Sequence, residues 1–140
     1  MPRPVFHVAN EFEFNANFVP LMQGRFCKGI MCLSKTMDEY QFVLMARSED
    51  GRIVAAAKLL AAPGLLSLRY IETAHDAKRN GYGRRLFTQL FRHAAQSGVG
   101  VLEITDYTRL GAKYLMPHEE RLARVVYPWV MTEGISPPFL

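Results

Sequence analysis

The sequence predicts a single mixed α/β domain, in which an antiparallel meander of three strands is followed by a β-α-β crossover into the same mixed sheet. Three observations carry this. Apolar runs at 41–47, 53–60 and 65–73 are separated by the short turn sequences Glu49-Asp50-Gly51 and Pro63-Gly64. A glycine-bearing loop at 78–83 opens a segment whose apolar residues recur at helical spacing. A short, almost wholly apolar run at 99–105 follows, as suits a central strand.

Taken in chain order, Val5, Phe6 and Val8 suggest a first strand, and Phe12 and Phe14 continue the alternation against Glu11 and Glu13. From Asn17 to Met37, Phe, Leu, Met and Cys mix with Gly24 and Gly29, and one or two short helices are expected. Phe42 to Ala46 form the first meander strand, Ile53 to Leu60 the second and Leu65 to Thr73 the third. In the third, Leu66, Leu68 and Tyr70 alternate with Ser67, Arg69 and Ile71. The next helix runs to about Ser97: Phe87, Leu90, Phe91 and Ala94 stand at i, i+3, i+4 and i+7, and Gly98 is placed to end it. Helix is also expected over Arg109 to Tyr114, and a further helical turn opens at Pro117 and runs through Ala123. Val125 to Met131 gives a last strand, at an edge or bulge because Pro128 lacks an N–H.

One domain fits the 140 residues, expected to span 1–140. With 49% apolar and 21% charged residues, disorder is excluded, and the core needs no metal or disulfide staple. The most apolar stretch, Ile53 to Leu66, is broken by Lys58 and Pro63-Gly64, too short to span a bilayer. Met1-Pro-Arg-Pro leads into polar sequence unlike a signal peptide, so a cytoplasmic protein is expected. Cys27 and Cys32 are the two cysteines; a single disulfide or, in a reducing compartment, two buried free thiols fit them, and their spacing without a nearby His is poor for zinc. No metal is expected from the scattered His7, His93 and His118 either.

The net charge of +4 has a local source. Lys78, Arg79, Arg84, Arg85 and Arg92 cluster with no acid between positions 77 and 92. One compact patch favours one anionic ligand over a long duplex track, so nucleic acid is not the expected partner.

Gly81 and Gly83 sit between a strand and a helix, among those cations. Backbone N–H groups at a helix N-terminus favour negative charge, and glycines admit a ligand close to the backbone, so the loop is a candidate pyrophosphate cradle. It is not a dinucleotide fingerprint, because Leu86 holds the third glycine position, and it is not a Walker A loop. A merely glycine-rich strand–helix turn is the plainer alternative.

Lys78-x-x-Gly81-x-Gly83 after the third meander strand, opening an amphipathic helix, resembles motif A of the GNAT superfamily of N-acetyltransferases, Gln/Arg-x-x-Gly-x-Gly/Ala. Strand order and spacing agree from about Gln41 to Tyr127. The resemblance implies an acyl-CoA N-acyltransferase fold that binds acetyl-CoA in a notch between Leu65–Thr73 and Val99–Thr105. It implies that backbone amides of Arg79, Asn80, Gly81, Tyr82, Gly83 and Arg84, beside Lys78, hold the pyrophosphate. The backbone of Glu72, Thr73 and Ala74 would then flank the pantetheine arm and acetyl carbonyl. Lys78 stands where the family has Gln or Arg. The family often ends its fifth strand with Asn and places a Tyr seven residues on; here Asp106 is followed by Arg109 and, eight on, Tyr114.

Acetyl transfer to an amine needs a proton acceptor and a donor for the departing thiolate. Glu72 is the candidate acceptor, through water; otherwise it is an outward glutamate paired with Arg69 or Arg79. His75 is a second candidate base, or a loop residue near the adenosine phosphates. Tyr114 is the candidate donor, with core packing as its alternative, and Tyr107 is a weaker version of it. Tyr82 is expected to pack, or else to cover the cofactor, and Tyr127 and Trp129 to pack or to line the acceptor pocket.

Three functions are therefore in play. The first is direct acetyl transfer in a ternary complex to an amine acceptor, small molecule or protein, with a homodimer compatible. Family acceptors include antibiotics, polyamines, amino acids, lysines and protein N-termini. The second is a weak member, of the compact kind encoded by phages and mobile elements, that keeps the CoA cleft and acts by binding another protein. The third, resting only on the pI of about 9.3, is a small nucleic-acid-binding protein.

Overall fold

The computed structural model describes residues 3–27, 30, 40–98, 101–104, 115–122 and 131–133. They form one six-stranded mixed sheet in the order β1-β2-β3-β4-β5-β6. The strands are β1 (Val5–Asn10), β2 (Tyr40–Arg47), β3 (Ile53–Ala62), β4 (Leu65–Thr73), β5 (Val101–Ile104) and β6 (Met131–Glu133). β1 to β4 pair antiparallel in succession; β5 joins β4, and β6 joins β5, in parallel. Meander and crossover are therefore as the sequence predicts, with β6 at the sheet edge. Positions 125–130, expected in the last strand, and Arg109 to Tyr114, expected as helix, lie outside the described residues.

The alternation at 11–14 does not extend β1. Asn10 ends the strand and its Oδ1 accepts the Glu13 N–H at 2.8 Å, an N-cap that starts helix at once. Helix α1 (Glu11–Glu13) runs through a π-helical turn at Phe14–Phe18 into α2 (Val19–Met22). The buried residues of this run, Phe14, Phe18 and Met22, are each four apart, wider than the 3.6 residues of an α-turn. The π-turn, in which the Val19 N–H reaches Phe14 O, keeps Phe14 and Phe18 on the core side. Phe12, outside that stripe, is 84% exposed.

Both faces of the central strands are covered, which is why β2 is buried from Phe42 through Ala46. Phe42 packs against His93 of helix α3 (Tyr82–Gln96), with ring centroids 5.7 Å apart. On the opposite face Phe18 packs against His7 and under the Arg47 guanidinium. Leu86, Phe87, Leu90, Phe91 and Ala94 are the buried stripe of α3, and Gly98, at φ 65°, follows its C-cap. Helix α4 (Met116–Arg121), with Pro117 in its first turn, lies by α3 through a 2.8 Å hydrogen bond between His118 Nε2 and Thr88 Oγ1.

β4 decides where a site can form. Lys58 pairs with Tyr70 but Leu59 with Leu68, so Arg69 is an extra, bulged residue. The β5 partners described reach Leu68 and stop there, while β4 continues to Thr73. Beyond Leu68 the β5-facing edge of β4 carries no ladder partner among the described residues.

Candidate functional site

The far end of β4 gathers two sets of groups. The first lies along the turn into α3. Ala74 still donates its N–H to Val54 O at 2.9 Å, and a 3-10 turn follows at His75–Ala77. Asn80 Nδ2 bridges Ala77 O and Lys78 O at 3.0 and 3.2 Å, tying the loop into a fixed shape. Arg79 takes φ 71°, a conformation uncommon for a residue with a Cβ, and Gly81 takes φ 76° as the N-cap of α3. No side chain caps α3, so its first N–H groups have neither an intrahelical acceptor nor a capping one.

Gly83 has a tighter reason to be glycine. A Cβ there would stand 3.0 Å from Thr73 Oγ1, so the first turn of α3 is pressed onto the last residue of β4. Thr73, and Ala74 after it, thus stand beside the loop Lys78–Arg84, two sets of residues that the resemblance assigns to one ligand. Lys78, Arg79 and Arg84 are exposed around them, whereas Tyr82 packs against the core. Arg85 Nη1 is buried with no hydrogen-bond partner among the described residues. N–H donors without a capping side chain among the described residues, a positive helix end and several guanidinium groups are the chemistry that suits an anion.

The second set faces the segment after α2. Glu72, half-buried, accepts the Cys27 N–H on Oε1 at 2.7 Å and on Oε2 at 3.1 Å. It forms no ion pair with Arg69 or Arg79 among the described residues, which disposes of that alternative. The same segment is held from both sides. Arg25 grips Asp76 in a bidentate pair at 2.9 and 3.0 Å, Arg52 also pairs with Asp76, and the His75 N–H donates to Arg25 O at 2.8 Å. Arg25 above all, and Arg52 with it, hold the Asp76 carboxyl below its ordinary range.

His75 is exposed, and its Nε2 lies 3.7 Å from Cys27 Sγ. The expectation of a buried thiol fails for Cys27, which is exposed at the end of the turn after α2, where its N–H donates to Glu72. Cys32 lies outside the described residues. The Glu72 carboxylate, as hydrogen-bond partner and then as neighbouring charge, pushes the Cys27 thiol above its ordinary value. Burial, then Glu72, does the same to the Tyr70 phenol, two residues earlier on β4.

Tyr114, the sequence's candidate proton donor, lies outside the described residues, as do Asp106, Tyr107, Arg109, Tyr127 and Trp129. Sequence reasoning missed Arg25, Arg52, Cys27, Tyr70 and Asp76. Their partners stand up to 51 positions away in the chain, as Arg25 and Asp76 do, and no local pattern marks them.

This fold and site define an acyltransferase-type architecture, and comparison with known proteins agrees. The family model described as Acetyltransferase (GNAT) family matches residues 10–116, most of the chain, and the protein belongs to that family. Among curated proteins, none matches by sequence. The ribosomal-protein-S18-alanine N-acetyltransferase from Escherichia coli is similar at TM-score 0.57 and 18% identity, over 84% of this chain and 76% of that one. An aminoglycoside acetyltransferase from an uncultured soil metagenomic sample, in complex with sisomicin, gives 0.54 at 13% identity, over 84% and 86%. Glucosamine-6-phosphate N-acetyltransferase from Arabidopsis thaliana gives 0.54 at 10%, over 82% and 90%. At these identities the likeness is one of fold. Among the described residues, no helix is long and apolar enough to cross a membrane.

Proposed function

We propose that this chain is an acetyl-CoA-dependent N-acetyltransferase, acting as one domain over residues 1–140 in the cytoplasm and transferring acetyl directly to an amine. The observation that carries the reading is the pairing of two groups at one strand end. The uncapped N-terminus of α3 is pressed onto Thr73, and one residue away the Glu72 carboxylate is held by the Cys27 N–H.

In this reading the N–H groups from Arg79 through Arg84, with Lys78 and Arg85 Nη1, which has no partner among the described residues, hold the pyrophosphate. The β5-facing edge at Glu72, Thr73 and Ala74, with no ladder partner among the described residues, supplies backbone groups to the extended amide arm. Acetyl-CoA, when bound, supplies an acyl group activated as a thioester. Glu72 accepts the amine's proton through water, leaving the nitrogen lone pair free to attack. The Cys27 N–H and the Arg25–Asp76 clamp fix the carboxylate in place. Tyr114 is assigned the return proton to the departing sulfur.

The similar structures make a ribosomal-protein alanine, an aminoglycoside and glucosamine 6-phosphate the first acceptors to try. A thiol-release assay across those amines tests the reading: transfer to at least one supports it, and none, from protein that binds acetyl-CoA, contradicts it.

A further inference from the structure

Cys27, Glu72 and His75 bring three different metal-ligand types to one point. Their ligand atoms all lie within 4.8 Å of one another. Tetrahedral zinc, with Zn–S of about 2.3 Å and Zn–N of about 2.0–2.1 Å, sets those two ligand atoms about 3.6 Å apart. Here Sγ and Nε2 are 3.7 Å apart, so the sulfur–nitrogen edge of such a site already exists. Both residues are exposed, leaving an entry path, and the carboxylate is half-buried beside them.

We propose that Cys27 Sγ, a Glu72 oxygen and His75 Nε2 form a three-ligand site for a zinc-class divalent cation, with the fourth position open to solvent. Sulfur, imidazole and carboxylate together select zinc or cobalt over magnesium or calcium, which take oxygen ligands. Binding exchanges the thiol proton for the metal, and the proton leaves to solvent, with no redox step. The neighbouring carboxylate that disfavours a lone thiolate favours a cation at the same point. The ligands come from two segments, the turn after α2 and the end of β4, so the ion would pin that turn over the cleft.

A consequence, which rests on the reading of Glu72 as proton acceptor, is that the bound ion takes the carboxylate out of use and inhibits transfer. The site itself does not depend on that reading.

The test is a titration of Co²⁺ into the reduced, chelator-treated full chain. The expected result is a thiolate-to-cobalt charge-transfer band with the visible bands of tetrahedral coordination. It saturates at one ion per chain and is displaced by Zn²⁺. Cys27→Ser should lose the charge-transfer band, and His75→Ala should raise the cobalt Kd at least tenfold, in chains whose thermal melts show them folded. Absence of the band in the wild type, or its survival unchanged in Cys27→Ser, overturns the site. In the activity arm, zinc should inhibit wild-type transfer with the midpoint of its binding, and Cys27→Ser only at tenfold or more higher concentration. Binding without inhibition would keep the metal site and remove the proton-acceptor reading of Glu72. Inhibition at the same midpoint in Cys27→Ser would overturn the site.

Discussion

Both carboxylate oxygens of Glu72 face the same donor, the backbone N–H of Cys27, at 2.7 and 3.1 Å. A peptide N–H survives every side-chain substitution except proline, so the carboxylate is oriented by the path of the turn after α2. Each oxygen keeps a free lone pair for a water or an incoming amine. Glu72→Gln keeps the size and loses the proton-accepting power. It should lower kcat/KM by about 10²-fold, within the range for loss of a general base. The KM for acetyl-CoA should hardly move, because at Glu72 the part assigned to that ligand is the backbone and not the carboxylate. Steady-state kinetics at saturating acceptor reads both.

The tether that sets the turn is electrostatic and far along the chain. Asp76→Asn removes the charge that Arg25 and Arg52 share. Freed from Asp76, the turn carries the Cys27 N–H away from Glu72, and kcat/KM should fall by about tenfold, as expected when a reacting group is misplaced. Acetyl-CoA affinity by calorimetry should stay at the wild-type value. Because the pair is exposed, raising salt should reproduce part of the loss in the wild type and none in the variant.

Gly83 and Thr73 make a separable test of packing. Alanine at position 83 gains helix propensity but sets its Cβ 3.0 Å from Thr73 Oγ1. In a double-mutant cycle, Gly83→Ala should be more favourable by about 1 kcal/mol in a Thr73→Ala background than in the wild type. Strict additivity in denaturant melts would mean that the helix is not pressed onto β4.

Stability should fall on mild acidification. Burial holds His93 below the ordinary histidine value of 6.5, and burial with Arg84 and Arg121 nearby does the same to His118. Between the lowered folded value and 6.5, the unfolded chain binds more protons than the folded one. The stability due to neutral His93 and His118 is therefore complete above about pH 7 and lost progressively as pH drops below about 6.5. Denaturant melts from pH 8 to 5 should show the decline, and His93→Gln should reduce its slope.

Strand order, the α3 stripe and the Gly81–Gly83 loop were legible because each is local: alternation, helical spacing and turn residues act within a few positions. The helical start at Glu11 was missed because an apolar/polar alternation of four residues outweighed the Asn-x-x-Glu cap at Asn10 and Glu13, which was equally visible. The bulge at Arg69, which shifts the register of β3 with β4 by one residue, follows from how two strands meet and leaves no local mark. For the same reason Glu72 could be nominated from its strand-end position, while its partner 45 residues earlier could not be named. Cys27 departs from the buried free thiol expected in a reducing compartment, since the fold leaves it exposed although Phe26 beside it is buried.

The central claim is that the N-terminus of α3 binds the pyrophosphate of acetyl-CoA, and ligand-induced thermal stabilisation tests it most directly. At 100 times Kd the ligand should add about 2.7 kcal/mol, a rise in Tm on the order of 10 °C for a domain of this size. Gly81→Asp, which puts a carboxylate where the phosphates are assigned, should fold and lose that shift. No stabilisation of the wild type at millimolar acetyl-CoA, or an equal shift in Gly81→Asp, would contradict the account.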